Sequence, residues 1–229
     1  MDVRKRNSYI VLASAAAALV VALWSLADGG RLQRELTEAI YADDIEQVRD
    51  LLQKQPKLLN IGDETDRATP LHVAASAERI AIAELLVSAG ADVNAQTKLG
   101  WTPLHYAVNT NCPEMARLLI DNGADVDAHG MGNAPLHRAA FLGHAEMVRL
   151  LLAADANVDL RGVEDWTALF FASCKGHREI VDLLLAAGAS TRLSDIHGRT
   201  PAGVASMQGY DEIAGMLSAH KEPTPPGED

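Results

Sequence analysis

Aromatic residues are scarce in this chain, at 4% of 229 residues. A core with so few large rings has to be assembled from alanine and leucine. Basic residues are also in deficit: Lys and Arg number 20 against 31 Asp and Glu, a formal net charge of −11. That balance argues against a nucleic-acid backbone as the partner. The catalytic signatures with a stated mechanism are missing too. There is no Gly-x-Ser-x-Gly elbow, no phosphate-binding Gly-rich loop ending in Lys-Ser/Thr, no Gly-x-Gly-x-x-Gly after a strand and no His-Glu-x-x-His. The sequence therefore offers no catalytic residues, no cofactor site and no metal site, and the chain is not expected to be an enzyme.

What the chain does contain is one stretch, repeated. Thr69-Pro70-Leu71-His72 returns as Thr102-Pro103-Leu104-His105 and as Ala134-Pro135-Leu136-His137, then in worn form as Thr167-Ala168-Leu169-Phe170 and Thr200-Pro201-Ala202-Gly203. The steps are 33, 32, 33 and 33 residues, the short one reflecting a residue missing between Gly123 and Ala134. A fixed period of this size signals stacked repeats. Within each unit Thr is placed to cap a short first helix, and Pro at its first position gives up no needed N–H. Small residues at Ala74, Ala107, Ala139, Ala172 and Ala205 let the next unit approach closely.

A second helix follows, with apolar residues at i, i+3 and i+4: Ile82, Leu85 and Leu86 in the first boxed unit, Met115, Leu118 and Leu119 in the second, and equivalents onward. Turn residues precede it at Glu78, Asn111, Gly143, Gly176 and Gly209, and stops follow it at Gly90, Gly123, Asp155 and Gly188. Among the turn residues Gly suits the left-handed conformation that ends a short helix, and Asn tolerates it. No unit buries its apolar face alone, so neighbours must cover one another.

Cys112 and Cys174 lie in different units. Stacked units sit on the order of 10 Å apart, beyond the ~7 Å reach of a disulfide, so no bridge is expected.

The Thr-Pro-Leu-His-x-Ala box, the Gly-Ala-Asp-Val-Asn loop at 90–94 and the period together resemble the ankyrin repeat family, over roughly Leu36 to His220. The resemblance implies an all-α solenoid with hairpin-like loops. It also implies that the box imidazoles hydrogen-bond the turn of their own or the next unit. The organisation expected is a cap unit at 36–66, repeats at 67–99, 100–131, 132–164 and 165–197, and a cap repeat at 198–220. In that last repeat Gly215 and Ser218 stand where leucines would be expected. A disordered tail follows at 221–229.

Ahead of the repeats come a basic segment, 1–8, with Arg4, Lys5 and Arg6, then an uncharged run, 9–27, and a linker, 28–35, read from Gly29-Gly30. About 19 uncharged residues suffice to span a bilayer, and the preceding basic residues favour a cytoplasmic N-terminus. The run is either an uncleaved single-span anchor or a signal cleaved after Ser25-Leu26-Ala27, a small-x-small site. In both cases the repeats lie across the membrane, as a membrane-bound domain or a secreted, periplasmic one.

The remaining chemistry is a surface for a protein partner. In the family the hairpin tips and the exposed side of the first helices form a concave groove, whose variable positions here carry Leu99, Trp101, Met131, Asn133 and Phe141, followed by Leu142, Glu164, Trp166, Lys175 and Arg199. Large apolar groups among them mark a binding patch. Trp101 and Trp166 have a second reading, lying flat on their own hairpins. Three carboxylates at Asp121, Asp125 and Asp127 resemble a calcium loop but lack its spacing and final Glu. His144 and His177 are one unit apart, too far to share a metal unless both side chains reach. The expected role is a scaffold holding a partner protein. The alternative is a periplasmic accessory to an enzyme or a stress response.

Overall fold

The computed structural model describes residues 30–220 except Glu64. The basic segment, the uncharged run 9–27 and the tail 221–229 lie outside the described residues. Among those that are described, no helix is long and apolar enough to cross a membrane.

The described chain is all-helical, with no strand and a single isolated antiparallel bridge between Gly130 and Asn133. Helix α1 covers 30–41 and α2 covers Ile45–Lys54, followed by a 3₁₀ turn at Pro56–Asn60. The five boxed units follow as helix pairs: α3 (Pro70–Ser76) with α4 (Ile80–Ser88), α5 (Pro103–Asn109) with α6 (Pro113–Asp121), α7 (Pro135–Leu142) with α8 (Ala145–Ala153), α9 (Ala168–Lys175) with α10 (Arg178–Ala186), and α11 (Pro201–Met207) with α12 (Asp211–Ala219). The first helices form an inner row, each touching the next, and the second helices from α2 to α10 form an outer row behind them.

The alanines of the inner row explain the close stacking. Ala74, Ala107, Ala139, Ala172 and Ala205 are fully buried. The outer row supplies the larger core groups, with Ile82, Leu86, Met115, Leu119, Met147 and Leu151 at 0% exposure. Burying one such side chain contributes roughly 1.5–3 kcal/mol. The turn residues also behave as their positions require. Glu78, Asn111, Gly143, Gly176 and Gly209 all have positive φ, and so do the helix stops Gly90, Gly123, Asp155 and Gly188.

Two sequence expectations change. Residues 30–35 are helical rather than a linker, because Leu32, Leu36, Ala39 and Ile40 share one face that is covered by the first units. The Gly29-Gly30 signal was misleading, since Gly30 already lies within that helix. At the other end, α12 keeps its apolar triplet as Ile213, Met216 and Leu217, of which Ile213 and Leu217 are buried. Gly215 and Ser218 are exposed and occupy the solvent side, not leucine positions. The missing residue of the short step is in the hairpin. Gly130 and Asn133 exchange both backbone bonds across Met131-Gly132, whose φ values of 52° and 79° make a two-residue primed turn. The hairpin before it needs one more residue between Thr97 and Trp101.

Candidate functional site

The boxes come first, because they decide whether the histidines are reactive. Thr69 donates its backbone N–H to His72 Nδ1 at 3.0 Å, and Thr102 does the same to His105 at 3.2 Å and Ala134 to His137 at 2.9 Å. A backbone N–H can only donate, so Nδ1 is the acceptor and Nε2 carries the proton. Nε2 then donates to a carbonyl of the following hairpin: His72 to Trp101 at 3.0 Å, His105 to Asn133 at 3.1 Å and His137 to Leu160 at 2.8 Å. Burial lowers all three pKa values, that of His105 to about 4, against a weaker opposing effect of the accepting carbonyl. Each imidazole is a neutral fastener with both nitrogens engaged. Where the box has lost its His, the cap reverts to the simpler form: the Thr167 and Thr200 hydroxyls accept the N–H of Phe170 and Gly203, each at 3.2 Å.

The loop carboxylates are employed in the same way. Asp125 Oδ1 accepts the N–H of Asp127, Asp127 accepts from Asn157, and Asn94 Oδ1 accepts the N–H of Asp125. They tie one inter-repeat loop to the next. His177 Nε2 meets the Phe141 carbonyl at 3.2 Å. Among the described residues no group of three or more His, Cys, Asp or Glu could hold a metal. Both cysteines are free thiols.

The groove side of the inner row is different. A chain of ring contacts runs along it. Tyr106 meets Trp101 edge-on at 5.4 Å, and the Arg138 guanidinium lies 5.5 Å from the Trp101 ring and 5.8 Å from Phe141. Phe141 meets Phe171 at 5.9 Å, and Phe171 meets Trp166 at 5.0 Å. The Lys175 ammonium sits 4.4 Å from the Phe141 ring. Arg138 is held in place by the Asn109 side-chain oxygen, with Nε at 3.2 Å. Asn133, His137, Arg138, Phe141 and Phe171 line a shallow cavity of about 170 Å³. At the α1 end a larger cavity of about 540 Å³ is lined by Tyr41, Asp63, Asp66, Val73 and Tyr106 among others. The first helices start at equivalent cap positions, Thr102, Ala134 and Thr167, which gives each the same phase and brings Tyr106, Arg138 and Phe171 to one face.

The model of ankyrin repeats (3 copies) matches residues 36–130, 89–162 and 136–225. The chain belongs to the ankyrin repeat family. Ankyrin repeats make it a protein–protein interaction module. A search of curated proteins found no match.

The ankyrin groove residues expected from sequence divide into three groups. Leu99 and Met131 are 55% and 59% exposed at adjacent hairpin tips, joined by a 2.8 Å bond from the Met131 N–H to the Leu99 carbonyl. Phe141, Asn133 and Lys175 lie in the aromatic–cation chain or the small cavity, while Leu142 is half-buried just before the turn and Glu164 is exposed at the next tip. Trp101, Trp166 and Arg199 are committed within the domain. Trp101 stacks on His105 and its edge abuts Gly130, where an added Cβ would be 2.7 Å away. Trp166 stacks on Phe170 at 4.7 Å. Arg199 makes a two-point ion pair with the buried Asp195.

The residues not foreseen are the half-buried Tyr106 and Arg138, and Phe171, a buried ring that backs Phe141. They occupy the x of Thr-Pro-Leu-His-x-Ala, and that free position within an otherwise filled box is the signal that could have found them. Val163 and Ile196 are also exposed apolar tips, one register step before the expected column. Positive φ at both Glu164 and Asp165 reshapes the hairpin that carries Val163.

Proposed function

We propose that this chain is a single-span membrane protein whose ankyrin domain stands outside the cytoplasm and holds a segment of a partner protein along the groove. The observation that carries the binding role is the unbroken run of rings and cations over α5, α7 and α9, flanked by the exposed tips Leu99 and Met131. Aromatic and Arg-rich surfaces are where interfaces concentrate their energy, and exposed apolar tips cost solubility without a partner. The orientation rests on Arg4, Lys5 and Arg6 preceding the uncharged residues 9–27.

Affinity capture with the full chain tests binding. Phe141→Ala together with Leu99→Asp lowers recovery of the captured partner at least tenfold, and unchanged recovery sinks the groove assignment. A reporter active on only one side of the membrane, fused after Asp229, tests orientation. N-terminal sequencing of the mature protein separates the anchor from the rival reading, a periplasmic accessory released after Ala27, favoured by the small-x-small triplet Ser25-Leu26-Ala27.

A further inference from the structure

The groove is electrically polar along its length. Its larger cavity, on α1, α3 and α5, carries three carboxylates, Glu38, Asp63 and Asp66, against the single guanidinium of Arg34, between the rings of Tyr41 and Tyr106. Hydrogen bonds from Thr65 and from the backbone of Asp66 and Arg67 outweigh a partial burial penalty and keep Asp63 ionised. Glu38 and Asp66 have no ion-pair partner among the described residues, and Asp66 is only loosely approached by the Tyr106 hydroxyl at 3.5 Å. Further along, on α7 and α9, the sign reverses. Arg138 is held only by a neutral amide, and Lys175 lies on an aromatic face, so neither cation is neutralised by a carboxylate among the described residues. This basic stretch occurs in a chain of net charge −11, which makes it a local feature and not a consequence of composition.

We infer that the groove takes an extended partner segment of matching polarity: a basic side chain seated between Tyr41, Tyr106 and Asp66, and further along an acidic side chain at Arg138 and Lys175, with an apolar or aromatic side chain beside it on the Phe141 ring that those two cations flank. This rests on the groove reading above and adds to it the partner's chemistry and direction. Carboxylates flanked by rings suit an ammonium or guanidinium. A guanidinium already fixed by an amide offers its remaining donors to a carboxylate in fork geometry. The contacts Asp66–Tyr106, Tyr106–Trp101 and Trp101–Arg138 keep Asp66 within about 17 Å of Arg138, and Lys175 lies up to about one unit, roughly 10 Å, further on. At about 3.3 Å per extended residue, the basic and acidic side chains of the partner are then about four to eight residues apart. Oppositely charged poles also fix the polarity with which the segment enters, since the reverse orientation places like charges together.

A library of displayed random dodecapeptides, panned against the full chain immobilised through its C-terminus, tests this directly. The expected result is enrichment of a basic and an acidic residue, in one order, about four to eight positions apart, with an apolar residue beside the acidic one. Asp66→Asn abolishes the basic preference and leaves the acidic one, and Arg138→Gln does the opposite. Each costs the selected peptides about tenfold in affinity, an effect that shrinks at high salt. Circular dichroism melts check that both variants remain folded. Peptides without charge order that are still lost on Phe141→Ala overturn this inference and leave the groove reading standing. Peptides indifferent to Phe141→Ala, or no recovered binders, overturn both.

Discussion

His105 joins two repeats through a single ring: its Nδ1 accepts the N–H of Thr102 at 3.2 Å and its Nε2–H reaches the carbonyl of Asn133 at 3.1 Å. Protonating Nδ1 sets N–H against N–H and breaks the cap. The burial that makes this bond strong also makes the charged ring costly.

Acid therefore destabilises the domain within a defined window. The His105 pKa is lowered from 6.5 to about 4 in the fold, chiefly by burial. The folded state thus binds fewer protons than the unfolded chain between those values. Its contribution is complete above pH 6.5 and is lost as pH falls toward 4, a change of about 3 kcal/mol for this one ring. His72 and His137 are shifted in the same direction. Urea unfolding at pH 7 and at pH 4.5 measures the slope. His105→Gln lowers stability at pH 7 and makes the acid dependence shallower, and an unchanged slope contradicts this role.

Glu78 and Asp155 adopt φ of 58° and 61° at exposed turn positions where other units use glycine. A side chain there carries left-handed strain of about 1–2 kcal/mol, partly offset by the extra freedom glycine brings to the unfolded chain. Glu78→Gly and Asp155→Gly each raise stability by about 0.5–1 kcal/mol, read as an upward shift in Tm.

Gly176 and Gly188 share positive φ but differ in surroundings. A Cβ at Gly176 would lie 2.5 Å from the Tyr210 ring, whereas nothing lies within 4 Å at Gly188. Gly188→Ala costs only the backbone strain, about 1 kcal/mol. Gly176→Ala costs about 1–2 kcal/mol more, as steric overlap is added. Tyr210→Ala in the Gly176→Ala background recovers the excess, and a double-mutant cycle by chemical denaturation measures the coupling.

Truncation separates groove side chains that hold the fold from those that wait for a partner. Trp101 stacks on His105 and against Gly130, so Trp101→Ala lowers stability by about 1–3 kcal/mol, part of the cost of emptying a full core site. Phe141 is half-buried on the groove side, and Phe141→Ala costs under about 1 kcal/mol while weakening partner capture. Equal losses of stability for the two variants would refute the distinction.

Much of the architecture was legible because a repeat states its rules several times. Ala107 and Ala139 recur at one phase, Met115 and Leu119 at another, and the left-handed turn at Asn111 stands where Gly143 and Gly176 stand. Erosion at the ends blurred the reading. Gly215 drew attention away from Ile213, Met216 and Leu217, and Gly30 hid the start of α1. The groove was legible only by column. Trp101 and Phe141 fell in groove columns alike, yet one is packed under the next hairpin and the other lies half-buried beneath the Lys175 ammonium. That difference depends on Gly130, a residue of the following unit.

The sequence by itself determined the period and the helix pairing, because both depend on local spacing and on residue types with fixed backbone demands, and the box, loop and period together carried the resemblance to the ankyrin family that implied the place of the box imidazoles in the turn. Only the tertiary structure decided that Tyr106, Trp101, Arg138 and Phe141 follow one another along the groove side, with the buried ring of Phe171 against Phe141, and that acidic and basic charges gather at separate stretches of it. Contacts between units join residues about 30 positions apart, and their geometry follows from how the stacked helices rotate against one another, which no single repeat encodes.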